Sequence, residues 1–179
     1  MISVSEATLQ SAADRLRRAE VSRVSCAPIR DLIDPLDLNG AYAIQELNTT
    51  VRLASGGQIV GRKIGLTAKA VQAQLGVDQP DFGIMYADMA VPTGGSITWN
   101  KVMQPKVEAE ITFVLKKDLN QADHSLEDIA DAIDYAVASI EIPCSRIKNW
   151  DIRIADTIAD NASAGYYVLG NKRVNLEDL

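Results

Sequence analysis

Apolar residues recur at helical spacing over residues 5 to 20. Leu9, Ala12, Ala13 and Leu16 share one face there, and Arg15, Arg17, Arg18 and Glu20 occupy the rest. A Pro- and Asp-rich stretch from Pro28 to Pro35 interrupts the pattern. It resumes from about Leu38 to Ala54, with Ala41, Ile44, Leu47 and Val51 as the stripe and Gly56-Gly57 as the stop. Ile59 to Ile64 then reads as a short strand broken by Gly65. Thr67 is placed to cap a short helix from Ala68 to Leu75, with Gly76 as its C′ residue. Asp78 to Gly83 reads as a loop, Met85 to Gly95 as a strand and turn, and Ser96 to Trp99 as a further short strand. Val107 to Leu115 alternates most clearly. Ser125 is placed to cap a helix from Leu126 to about Asp134, and strands follow at Ala136 to Ile142 and Tyr166 to Leu169. Helices lead and short strands follow, so the pattern predicts an α+β fold with a strand-rich core. It has a helical region over residues 1–57 and a strand-rich part over 58–179, joined as one continuous domain.

Composition narrows the function classes. The 179 residues are 47% hydrophobic and 23% charged, which is ordinary for a globular chain, and at 5% aromatic the core must rest on aliphatic side chains. A formal net charge of -6 argues against nucleic acid as a partner, because phosphate binding wants a basic face. It leaves room for a small anionic substrate, since a local metal or lysine overrides the global charge. No apolar run approaches the ~20 residues of a membrane helix. Met1 to Glu20 lacks a signal-peptide pattern. Cys26 and Cys144 form no CxxC and read as reduced, packed thiols. The expectation is a soluble, cytoplasmic protein.

The chemistry lies in three carboxylates. On a strand over Val107 to Phe113, Glu108, Glu110 and Thr112 share one face. Val107, Ala109, Ile111 and Phe113 share the other and are expected to enter the core. The two glutamates stand ~6.5–7 Å apart along the backbone, and their side chains can converge. Glu141 interrupts the otherwise nearly uncharged run Ala136 to Pro143. A glutamate in so apolar a strand must be paired, protonated or coordinated. Three oxygen donors without nitrogen or sulfur suit a hard cation, Mg²⁺ or Mn²⁺, better than zinc. Spacing alone fits equally well the solvated face of an amphipathic strand. The single histidine, His124, sits in a polar stretch, is expected to be exposed and carries no catalysis.

Longer stretches carry a resemblance. Gly61 to Thr67 (GRKIGLT), Val71 to Gly83 (VQAQLGVDQPDFG), Gln104 to Glu110 (QPKVEAE), Ile140-Glu141, Ser145-Arg146-Ile147 and Asp156 to Gly165 (DTIADNASAG) occur in order along the chain. Together they resemble the 2-oxopent-4-enoate (2-hydroxypenta-2,4-dienoate) hydratase family of the fumarylacetoacetate hydrolase superfamily. The resemblance implies N-terminal helices packed on a mixed, mostly β roll. It implies a metal-dependent hydro-lyase of meta-cleavage aromatic catabolism, adding water to 2-hydroxypenta-2,4-dienoate to give 4-hydroxy-2-oxopentanoate. Glu108, Glu110 and Glu141 would be its metal ligands. Family members run on for roughly a third of their length past the point matching Leu179, so the C-terminal part of the catalytic core is expected to be missing. Many relatives carry an acidic or small residue at the position of Cys144, whose thiol reads either as a small apolar filler or as an accessible group near the metal.

The residues acquire roles on that premise. Lys63, at the end of an apolar strand, is a candidate proton shuttle or carboxylate binder, or else a solvated strand-end lysine. Asp81, in Pro80-Asp81-Phe82-Gly83, reads equally as a turn residue and as a general base. Leu66 and Thr67 offer backbone N–H groups to a substrate carboxylate. Asp160, Asn161 and Ser163 either bond the substrate and the metal's waters or serve as a cap. The partner expected is a small oxo-acid, in a homo-oligomer that associates with a pathway enzyme. Rival readings are a 4-oxalocrotonate decarboxylase or dioic-acid hydratase on the same scaffold, and a non-catalytic partner subunit or truncated fragment. The run Gln72 to Pro80 and Trp150-Asp151-Ile152 lean towards the pentadienoate hydratase.

Overall fold

A computed structural model describes residues 4–75 and 77–179; the expected C′ role of Gly76 lies outside the described residues. The first helix, α1 (Glu6–Ser22), starts where the Ser5 side chain accepts a hydrogen bond from the Thr8 amide, and it buries Ala12, Ala13, Leu16 and Ala19. The second, α2 (Leu38–Ala54), is capped by Asp37, whose Oδ1 accepts from the Gly40 N–H at 2.9 Å. Its buried face is Gly40, Ala41, Ile44 and Gln45, so the apolar stripe sits slightly to one side of that expected, with Val51 exposed. The chain continues through β1 (Ile59–Gly65), α3 (Lys69–Leu75), β2 (Asp81–Tyr86), β3 (Glu108–Leu115), α4 (Leu126–Ala132), β4 (Ile133–Ile142), α5 (Ile154–Ala159) and β5 (Tyr166–Leu169).

The strands form two small antiparallel sheets, β1–β2 and β3–β4–β5. Two sequence expectations change. Asp81, Phe82 and Gly83 belong to strand β2, where Gly65 pairs with Asp81 and Lys63 with Gly83. The segment expected to form a strand at Ser96 to Trp99 has only a single 3₁₀ turn, Trp99–Lys101. Against the strand-rich core expected, the larger core lies among helices, because the sheet faces are left partly open; a smaller cluster of Met85, Tyr86, Met89 and Ala164 packs at β2. Ala12, Leu16, Ile29, Ile44, Ile147 and Ile158 of α1, α2, α5 and two connecting loops pack into one cluster. Each fully buried isoleucine there contributes about 1.5–3 kcal/mol.

The outer face of β3 departs furthest from expectation. Val107, Ile111 and Phe113 are 73%, 58% and 47% exposed, joined by Ile140 on β4 at 45%. Alternation places these residues on one face correctly, but no described residue forms a layer over that face.

Candidate metal centre

Glu108 stands directly opposite Glu141 across the β3–β4 pair, and Glu110 opposite Ser139. Thr112 Oγ1 and Ser139 Oγ lie 2.7 Å apart farther along the same face. This register converges the acids: one oxygen from each of Glu108, Glu110 and Glu141 lies within 4.8 Å of the other two. Glu108 and Glu110 are open to solvent, whereas Glu141 is 6% exposed. Burial pushes the Glu141 carboxyl above its ordinary range. Lys63 pulls it back, and Glu108 and Glu110 push it up again. Lys63 Nζ donates to Glu141 Oε1 at 2.7 Å and joins the two sheets there. A buried carboxylate facing two further acids with one ammonium still carries excess negative charge, and an all-oxygen donor set of this kind fits a divalent metal.

Asp81 lies beside this group. It is 2% exposed, and Thr157 Oγ1 donates to its Oδ2 at 3.1 Å. Burial raises its carboxyl above the usual range, against the pull of Lys63 and Thr157. Two glycines make the approach possible. A side chain at Gly65 would collide with Oδ1 of Asp81. A Cβ at Gly83 would meet the Asn161 carbonyl oxygen at 2.6 Å and Lys63 Cγ at 3.0 Å. Absent side chains therefore let the β1–β2 hairpin sit close against the segment after α5.

That segment is unusual. Asn161, Ala162 and Ser163 are three consecutive left-handed residues, with φ of 57°, 49° and 52°. Such a conformation costs an alanine or serine about 1–2 kcal/mol. The Asn161 side chain accepts from the Ile84 N–H at 2.7 Å and donates to the Ile84 carbonyl at 2.9 Å, which pins it to β2. Ser163 is 3% exposed, and its Oγ has no hydrogen-bond partner among the described residues. Asp160 is 2% exposed and faces Arg146: it accepts from Arg146 Nε, from the Arg146 N–H at 3.0 Å and from Ser145 Oγ at 3.1 Å. Arg146, Ser145 and Thr157 carried no role in the sequence reading. All three lie inside the motifs that carry the resemblance, but nothing in the spacing marks Arg146 and Ser145 as partners of Asp160 or Thr157 as a partner of Asp81.

Other expected residues fall as follows. Leu66 adopts φ 59°, packs partly buried against the helical core, and accepts from Gln72 Nε2 through its carbonyl at 2.7 Å; Thr67 is exposed just before α3. Cys144 is 4% exposed and burial raises its thiol, so it is the packed filler and not an accessible group. Both cysteines are free. His124 is half-buried rather than exposed, and its Nε2 has no partner among the described residues. Among the described residues no helix is long and apolar enough to cross a membrane.

No protein-family profile matches the chain. It is 51% identical over all 179 residues to 2-keto-4-pentenoate hydratase 1 of Dechloromonas aromatica strain RCB, covering 68% of that protein. It is 55% identical over 170 residues to the TodF product hydratase of Pseudomonas putida F1, covering 63% of it. Among solved structures, 4-oxalocrotonate decarboxylase from Pseudomonas putida G7, complexed with magnesium and adipate, superposes with a TM-score of 0.91 at 30% identity, over 99% of this chain and 67% of that one. The same enzyme complexed with calcium and acetate gives 0.88. The chain thus spans about two thirds of the length of the proteins it matches.

Proposed function

Because the chain belongs to the 2-keto-4-pentenoate hydratase family, a family of hydro-lyases, we propose that it carries the metal-binding part of an enzyme that hydrates 2-hydroxypenta-2,4-dienoate to 4-hydroxy-2-oxopentanoate. The observation that carries this is the convergence of Glu108, Glu110 and the buried Glu141 within 4.8 Å beside Lys63. Mg²⁺ or Mn²⁺ held by these three carboxylates would supply Lewis-acid stabilisation of negative charge on the substrate's C2 oxygen.

The remaining work falls to side chains. The dienol must ketonise before water adds at C4, so protons must be moved at more than one carbon. Asp81, whose carboxyl burial holds above its usual range, can carry a proton nearer neutrality than a solvated aspartate can, and serves as the general acid and base. Lys63, half-buried between Asp81 and Glu141, offers an ammonium to the substrate carboxylate. Ser163 Oγ, buried and without a partner among the described residues, offers a further hydrogen bond to a substrate oxygen. The backbone N–H groups of Leu66 and Thr67 lie beyond Gly65, where they can receive a carboxylate. Asp160 and Asn161 act by holding the backbone rather than by touching substrate. The same reading gives a small oxo-acid as substrate, within a cytoplasmic homo-oligomer.

The likeness to 4-oxalocrotonate decarboxylase favours a second reading, decarboxylation on the same scaffold. The hydratase reading takes precedence because identity is 51% and 55% to hydratases and 30% to the decarboxylase.

The test is Mn²⁺ binding by calorimetry on the chain and on Glu108→Ala, beside an absorbance assay for loss of the dienoate. Binding lost in the variant, with turnover by the parent, is the expected result. Binding without turnover points to the decarboxylase, a partner subunit or an incomplete site. No binding by the parent sinks the metal centre.

A further inference from the structure

Among the described residues, one side chain stands at both ends of the left-handed run. The Arg146 guanidinium donates through Nη2 to the carbonyl of Asp160, the residue just before Asn161. Through Nη1 it donates at 2.8 Å to the carbonyl of Ala164, the residue just after Ser163. Its Nε takes the Asp160 carboxylate. The group spans the three residues and fixes the distance between their two ends. It is 8% exposed and aspartate-paired, so it is held rigidly itself.

The run so held leads to the site. Asn161 is locked to Ile84 on β2, and Gly83 lies against Ala162 and Lys63. The Ser163 carbonyl accepts from the Cys144 N–H at 2.8 Å, three residues past Glu141. The end of the run is therefore tied to the segment just past the strand that carries Glu141, while Ser163 Oγ is buried without a partner among the described residues. An alanine and a serine would leave the left-handed region if either end were released. A serine hydroxyl on a relaxed backbone would turn to the nearest polar group.

We propose that Arg146 is a positioning residue, which holds Asn161–Ser163 in its left-handed form so that the Ser163 hydroxyl meets a carboxylate or 2-oxo oxygen of the substrate. This rests on the proposed oxo-acid reading of the site. A fork of planar donors is required, since a lysine ammonium cannot bridge the two carbonyls and the carboxylate with the same geometry.

The experiment is a double-mutant cycle on the full chain with Arg146→Lys, Ser163→Ala and the pair. Each variant is read by dienoate turnover, by pyruvate affinity in calorimetry with Mg²⁺ present, and by amide hydrogen exchange. Arg146→Lys should speed exchange at Ser163, Ala164 and Cys144 while leaving the β3–β4 amides unchanged, and should lower pyruvate affinity about tenfold. The pair should be no worse than Ser163→Ala alone. Additive losses, or exchange unchanged at those three amides, overturn the proposal. A parent that binds pyruvate without turning over the dienoate counts against hydration by this chain alone and leaves the pyruvate cycle to decide this proposal. A parent that binds no pyruvate overturns both. If Arg146→Lys does not fold, the parent decides: pyruvate addition should shift the Arg146 Nε and Ala164 amide resonances, and unmoved resonances overturn the proposal.

Discussion

Two buried ion pairs in this fold differ in how completely they are satisfied. Asp160 accepts from Arg146 through Nε and the backbone N–H and from Ser145, and the Arg146 fork has its two remaining ends on carbonyls. Lys63–Glu141 is a single contact at 2.7 Å, with two further carboxylates within reach of Glu141. The first pair is closed, its donors and acceptors matched inside the protein. The second leaves charge and lone pairs open in a place where burial already disfavours them. Saturation marks a structural role and incompleteness a chemical one, even when both pairs join the same two kinds of charge.

The sharpest break in that comparison is at the metal carboxylates. Glu108→Ala should lower turnover by at least about a hundredfold, since even the residues that orient metal ligands are worth 10–100-fold. It should leave the melting temperature almost unchanged, because Glu108 is solvent-exposed and its removal relieves repulsion with Glu110 and Glu141. Side-by-side kinetics and thermal melts check both halves. At the closed pair the larger effect should fall on stability. Arg146→Ala leaves the Asp160 carboxylate buried without a counter-charge, a loss of about 3–5 kcal/mol, which for a domain of this size lowers Tm by roughly 6–20 °C. Calorimetric melting measures it, and a drop of only a degree or two would remove the difference between the two pairs.

Asp81 sharpens the comparison through pH. Its carboxyl is raised by burial, so the folded state holds the proton more tightly than the unfolded chain does. Its contribution to stability is full below the ordinary aspartate range and is lost as pH rises through the raised value. Asp81→Asn should therefore flatten the decline in urea midpoint on going from acid to neutral pH. Unchanged slopes would remove Asp81 from the set of strained groups. The smallest effect belongs to a distant control. Ser125 caps α4 by accepting from the Asp128 N–H at 3.1 Å while Asp128 reaches back to the Ser125 N–H. Ser125→Ala should cost about 1 kcal/mol and leave turnover untouched.

The site was partly legible in the amino-acid order. Alternation put Glu108 and Glu110 on one face, and the apolar surroundings of Glu141 marked it as needing a partner. Neither signal could name Lys63 as that partner, because the pair joins residues 78 positions apart on separate sheets. Asp81 was ambiguous because Pro80 and Gly83 are turn residues by composition. Here Gly83 is needed for close approach instead of for a turn. Asp160 reads equally as a substrate contact and as a cap, because its polarity shows in sequence and its pairing with Arg146 does not. The helices were clear from their stripes, but the outer face of β3 was misjudged. Periodicity says which residues share a face and is silent on what covers it.

The register of the β3–β4 hairpin also bears on how this scaffold tolerates length changes. Glu108 and Glu141 form one of the cross-strand pairs at the open end of the hairpin, and the connection through α4 closes the other end. A slip of one residue would turn one strand's glutamate to the opposite face and dismantle the site. The pairing already shifts by a residue between Val114 and Leu115, next to that connection. Insertions and deletions around residues 116–125 can thus be taken up at a bulge remote from the acids, so the far loop is free to diverge while the carboxylate geometry is inherited unchanged.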